Sequence, residues 1–268
     1  MIKHILNPPN WFTSASVFSS VYAMSLLVGN EVTPEILIRA SILIFFSGVF
    51  DLLDGRVARM TNRASEFGVQ LDSIADVVSF GVAPALLAWA WSLHHLGMIG
   101  AAIMVLHVLA VAFRLARFNV DAAHDNWLLK GHSRGLTSTM GGAMLVTLVW
   151  VSNVYLADFF TIRPWMVATF VSFQAVLMLS SVPFRTFRDM RQNNRARAIL
   201  AVSMAACLVG AIALDPSMLF GVGSALYLTW GLADGLVVGW HARRLSRDEE
   251  DGSLCEEELV QEPVSTRR

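Results

Sequence analysis

Four aspartates stand out from an otherwise apolar chain. Asp51 and Asp54 fall in Val49-Phe50-Asp51-Leu52-Leu53-Asp54-Gly55-Arg56, and Asp72 and Asp76 in Gly68-Val69-Gln70-Leu71-Asp72-Ser73-Ile74-Ala75-Asp76. Spacings of three and four put each pair on one face of a helix. A short turn near Thr61 to Ser65 would fold the two segments back antiparallel, so that the pairs face each other at one depth. Carboxylates in contact repel one another unless something neutralises them, and hard divalent cations do so directly. Oxygen-only ligands suit Mg2+, Mn2+ or Ca2+ better than zinc. Four carboxylates can hold two such ions a few ångströms apart, as phosphoryl transfer requires. The plainer alternative is a set of helix-end charges paired with Arg56, Arg59 and Arg63.

Small residues share these faces. Gly55 and Ala58 lie one and two turns beyond Asp51, and Gly68 one turn before Asp72, so a backbone or a flat ligand can approach closely. Such a floor beside metal ions suits a nucleotide, although helix packing alone uses the same residues.

The elements that position these acids belong in a membrane. Of 268 residues 55% are hydrophobic and only 15% charged, which excludes the composition of a water-soluble globule. A net charge of -1 lacks the basic footprint that nucleic-acid binding needs, and two cysteines, Cys207 and Cys255, make neither a disulfide framework nor a cysteine-rich metal site. Eight apolar stretches of spanning length are expected at 12–29, 33–55, 72–94, 97–118, 137–157, 164–183, 198–214 and 217–240. The expected fold class is an all-α integral membrane bundle of about eight helices. No cleavable signal peptide stands out near Met1 to Pro9. After Trp240 comes a polar tail with eight acidic residues between Asp248 and Glu262, expected to be disordered.

Alternate loops carry the basic residues very unequally. Arg39 and Arg163 fall on one side and the other 18 of the 20 Lys and Arg residues on the opposite one, which the positive-inside rule makes cytoplasmic. Both termini and the four aspartates are then expected at the cytoplasmic face of the cell membrane. Ionisable groups within membrane spans cost a few kcal/mol or more, so they mark a site. His107 and Asp234, each alone on an apolar helix, are expected to be satisfied within the bundle, with Asp234 also a candidate dimer or gating contact.

The full spacing, Asp51-x-x-Asp54-Gly55-x-x-Ala58-Arg59, eight residues, Gly68-x-x-x-Asp72-x-x-x-Asp76, resembles the motif of the CDP-alcohol phosphotransferase family at every fixed position. The entry Pro9-Asn10-Trp11-Phe12-Thr13 is similar to the opening of that family's first helix, and the core resemblance covers roughly residues 8–190. Three stretches resemble its bacterial integral-membrane phosphatidylserine synthase branch: Asp76 to Ala85, Arg114-Leu115-Ala116-Arg117-Phe118-Asn119, and Ser180 to Phe187. Gly135-Leu136-Thr137-Ser138-Thr139 and Ser181-Val182-Pro183 depart from the commoner patterns. The resemblance implies a catalytic core over 1–190, two added helices within 191–240, and a tail over 241–268.

It further implies a donor, CDP-diacylglycerol, and an acceptor, L-serine, with CMP leaving. Asp51, Asp54 and Asp72 are implied on one ion and Asp51, Asp72 and Asp76 on another, Mg2+ or Mn2+, with Ca2+ an inhibitory occupant. Asp76 is the implied base for the serine hydroxyl. Asn10, Thr13, Gly55, Ala58, Arg59 and Gly68 are implied around the CDP group. For a serine carboxylate, a guanidinium is the best partner; Arg114, Arg117 and Arg185 are candidates, with Ser79, Asn119, Thr137 and Ser138 completing the pocket. The same arginines would also serve as headgroup anchors. Membrane lipids are partners, and a homodimer is implied by dimeric relatives. Glycerol 3-phosphate, inositol phosphate or choline are alternative acceptors. The different class is a cation transporter, which predicts mid-membrane broken helices and an inverted repeat that the sequence does not show.

Overall fold

Proline opens three of the helices, at the first-turn positions where its missing N–H has no intrahelical partner to lose. The computed structural model describes residues 8–61, 66–124, 132–155 and 163–185, together with position 223. In chain order these form α1 (Pro8–Gly29), α2 (Pro34–Thr61), α3 (Glu66–Asp76), a π-helical turn (Val77–Val82), α4 (Ala83–Trp91), a 3-10 turn (Leu93–Leu96), α5 (Met98–His124), strand β1 (His132–Arg134), α6 (Ser138–Tyr155), α7 (Pro164–Leu179) and strand β2 (Pro183–Arg185).

Four helical stretches, Pro8–Gly29, Pro34–Ala58, Glu66–Trp91 and Met98–Asp121, are long and apolar enough to cross a membrane. The 18 residues of α6 and 16 of α7 occupy the fifth and sixth expected spans. The expected spans 198–214 and 217–240, with Asp234, and the tail 241–268 lie outside the described residues.

The third span departs from expectation in two ways. It begins at Glu66 rather than near Asp72, and it is not one uniform α-helix. Pro84 carries no N–H and its ring presses on the carbonyl four residues earlier, that of Phe80. The chain answers by widening into the π turn over Val77–Val82, where the Ala83 N–H reaches back five residues to the Val78 carbonyl. The described residues are mostly helical, as expected, with one short ribbon beside the helices. β1 and β2 pair antiparallel, His132 opposite Arg185 and Arg134 opposite Pro183, which satisfies main-chain groups where the chain leaves its helices. Next to this ribbon Gly135 takes φ +74° and packs so tightly on the end of α7 that a Cβ would meet the Met178 carbonyl at 2.5 Å.

Helix packing relies on small residues, because lipid offers no hydrophobic drive for helices to associate. α1 lies along α2, burying Thr13, Ser16, Ser20, Ala23 and Leu27 against a face that includes Leu37, Ala40, Ile44 and Ser47. The apolar core continues through Ala83, Leu87 and Trp91 to Leu145, Val149, Val167 and Val171. Large apolar side chains such as Phe18, Val28, Phe113 and Val176 point outward, as on a surface bathed by lipid.

Candidate metal centre

Because α2 continues to Thr61 and α3 starts at Glu66, the two acid pairs sit on neighbouring helices a short connection apart. One carboxylate oxygen from each of Asp51, Asp72 and Asp76 lies within 4.8 Å of the others. The Asp51 and Asp76 carboxyl groups are in hydrogen-bonding contact. Asp76 Oδ1 is buried and has no hydrogen-bond partner among the described residues. An orphaned carboxylate oxygen inside an all-oxygen cluster fits a hard divalent cation, which repels none of the three and needs no nitrogen or sulfur ligand.

Asp54 stands beside this trio rather than in it. It is 5% exposed, and its Oδ2 accepts a 2.6 Å hydrogen bond from the Thr13 hydroxyl. Thr13 Oγ1 also lies 3.3 Å from the Pro9 carbonyl, so the start of α1 is tied to the acid face of α2. Asp54 remains close enough to Asp72 for the two charges to repel. The four expected acids therefore meet as three plus one.

Of the other expected donor-side residues, Asn10 and Thr13 are buried on α1, and Gly55, Ala58 and Gly68 are half-buried on α2 and α3. Arg56 is exposed. The side chains of Arg59 and Arg185 lie outside the described residues.

The basic residues of α5 divide by what they touch. Arg114 is 8% exposed, donates from Nη1 to Ser138 Oγ at 3.0 Å, stacks 5.5 Å from the Phe118 ring centre, and lies near enough to Asp76 to attract its charge. Arg117 instead turns to the main chain. Its Nη1 donates to the Leu179 carbonyl at 3.0 Å, and its Nη2 lies 2.9–3.1 Å from the carbonyls of Arg134, Met178 and Ser180. These include carbonyls at the end of α7, which no further helical turn would satisfy. Asn119 donates to Ser73 Oγ at 3.0 Å, joining α5 to the residue after Asp72. Ser79, in the π turn, is 1% exposed with its hydroxyl between those of Ser16 and Ser20. His107 is satisfied on one side, its Nε2 lying 3.3 Å from the Phe80 carbonyl.

Sequence reasoning missed the partners that hold these residues. Ser16, Ser20 and Ser47 carry no motif, and only their four-residue spacings from Ser20 and Asp51 hinted at shared faces. Pro84 was a legible signal for the break in the third span.

The pattern of the family described as CDP-alcohol phosphatidyltransferase matches residues 6–180. The chain belongs to the CDP-alcohol phosphatidyltransferase family. It is accordingly an enzyme, and with its long apolar helices a multi-pass membrane protein. It is 31% identical over 226 residues to the CDP-diacylglycerol–serine O-phosphatidyltransferase of Helicobacter pylori, covering 84% of this chain and 89% of that protein. Proteins of the same name from Methanocaldococcus jannaschii and Mycobacterium tuberculosis are 36% identical over 175 residues and 30% identical over 225, covering 65% and 82% of this chain and 76% and 75% of theirs.

Proposed function

We propose that the chain transfers the phosphatidyl group of CDP-diacylglycerol to the hydroxyl of L-serine, giving phosphatidylserine and CMP. The observation that carries the reading is the gathering of Asp51, Asp72 and Asp76, with one Asp76 oxygen unengaged among the described residues, beside the buried Arg114. The names of the relatives support serine as the acceptor.

Asp51, Asp72 and Asp76 would hold divalent cation, Mg2+ or Mn2+, with Asp54 completing a second position. Held there, such a cation would supply positive charge against the diphosphate and the charge that develops in phosphoryl transfer. The remaining work falls to the chain. The serine oxygen forms a bond to the phosphorus nearest the diacylglycerol, and the bond from that phosphorus to the CMP oxygen breaks. Asp76 takes the serine hydroxyl proton. Asn10, Gly55, Ala58, Arg59 and Gly68 form the floor for the CDP group. Arg114 and Arg185 meet the serine carboxylate, because a planar guanidinium binds a carboxylate in two parallel hydrogen bonds. Asn119 and Ser138 hold the inner wall of that pocket through Ser73 and Arg114. The excess of basic residues on the same side sets this face toward the cytoplasm of the cell membrane.

The test is an acceptor panel. Purified protein with Mn2+ and CDP-diacylglycerol is expected to release CMP with labelled serine and to label phosphatidylserine. Release with glycerol 3-phosphate, inositol phosphate or choline, and none with serine, would remove the acceptor while keeping the chemistry.

A further inference from the structure

Four buried serine hydroxyls close a ring inside the bundle. Ser16 Oγ lies 2.8 Å from Ser47 Oγ and 3.1 Å from Ser79 Oγ, and Ser20 Oγ lies 2.8 Å from Ser47 Oγ and 3.0 Å from Ser79 Oγ. Ser20 Oγ is the donor toward both Ser47 and Ser79 and shares its one proton between them, whereas in the two Ser16 contacts either hydroxyl can donate. None is more than 2% exposed.

The ring lies one helical turn from the carboxylates on every element that carries it. Ser16 follows Thr13, the partner of Asp54, by three residues. Ser47 precedes Asp51 by four, and Ser79 follows Asp76 by three. The three elements are not equally rigid. α1 and α2 hold their residues with ordinary helical hydrogen bonds, whereas Ser79 sits in the π turn that begins directly after Asp76. There the Phe80 carbonyl cannot receive a hydrogen bond from position 84, because Pro84 has no N–H, and His107 approaches it at 3.3 Å instead. On the same side Gly142 lets α6 come so near that a Cβ there would meet the Phe80 carbonyl at 2.9 Å. Ser79 pins the turn to α1, His107 pins it to α5, and Asp76 is the last residue before it.

We propose that Ser79 is a positioning residue: its hydroxyl contacts with Ser16 and Ser20 fix the π turn, and the turn fixes where Asp76 places its carboxylate against Asp51 and Asp72. The proposal rests on the reading of those three acids as a divalent-cation site. Ser47 supplies the internal comparison. Its removal also deletes one buried hydroxyl with two contacts, but it leaves Ser79 held by Ser16 and Ser20, and it lies on a regular helix.

The experiment is Mn2+ binding, followed by electron paramagnetic resonance on the full chain in detergent without substrate, for wild type, Ser79→Ala and Ser47→Ala. Unfolding temperature is measured alongside. Ser79→Ala is expected to weaken Mn2+ binding by roughly 10-fold or more, within the range for groups that orient metal ligands. Ser47→Ala is expected to lower the unfolding temperature by a similar amount and leave Mn2+ binding near wild type. Equal Mn2+ binding in the two variants would overturn the positioning role. If Ser79→Ala does not fold, His107→Leu frees the turn from its other side; weakened Mn2+ binding supports the proposal and unchanged binding overturns it. Failure of the wild type to bind Mn2+ would remove the cation site itself, and the serine acceptor plays no part in any of these outcomes.

Discussion

Thr13 Oγ1 donates to Asp54 Oδ2 at 2.6 Å, across 41 positions of sequence. The bond ties one oxygen of Asp54 to α1. It also explains why the fourth acid stands apart from the three that converge. Thr13→Val keeps the shape and deletes the hydroxyl, so it should raise the Mn2+ concentration for half-maximal activity by roughly 10-fold or more, whereas Thr13→Ser should stay near wild type. A metal titration of CMP release reads both.

The carboxylate trio predicts complete and reversible dependence on divalent ion. Chelation with EDTA should abolish CMP release, and Mn2+ or Mg2+ should restore it. Activity that survives chelation and dialysis would argue that the acids serve only packing.

The two α5 arginines should fail differently. Arg117→Lys loses a planar fork that reaches four main-chain carbonyls, and should cost about 1–3 kcal/mol of stability, seen as a lower unfolding temperature in detergent. Arg114→Lys should instead raise the KM for serine by about 10-fold, the equivalent of 1.4 kcal/mol of binding. The reverse pattern, KM rising in the first and stability falling in the second, would exchange their roles.

Gly142 offers a steric test of the π turn. Gly142→Ala puts a Cβ at 2.9 Å from the Phe80 carbonyl, in a place where neither backbone can easily yield. Overpacking of this kind costs about 1–3 kcal/mol. The unfolding temperature should fall, and kcat should fall with it because the displaced turn adjoins Asp76.

The acids were legible because charge in an apolar helix has few reasons to be there, and because spacings of three and four translate directly into a shared face. The four spanning helices up to Asp121 were legible from length and hydropathy, apart from the start of the third and its π turn. What the sequence concealed depends on contacts between distant segments. Nothing local distinguishes Arg117, which holds the end of α7, from Arg114, which lies near Asp76, since both sit one turn apart on the same helix. The split of Asp54 from the trio depends on Thr13, and the ring depends on serines from three elements meeting at one depth. The β1–β2 ribbon joins segments about fifty residues apart with three residues each, too short for alternation to register.

The most direct measurement pairs Mn2+ binding with CMP release from CDP-diacylglycerol and serine in wild type, Asp72→Asn and Asp76→Asn. Wild type should bind the ion and release CMP, Asp72→Asn should lose both, and Asp76→Asn should lower kcat by at least about 100-fold. Turnover at the wild-type rate in both variants would contradict a catalytic metal centre at these aspartates.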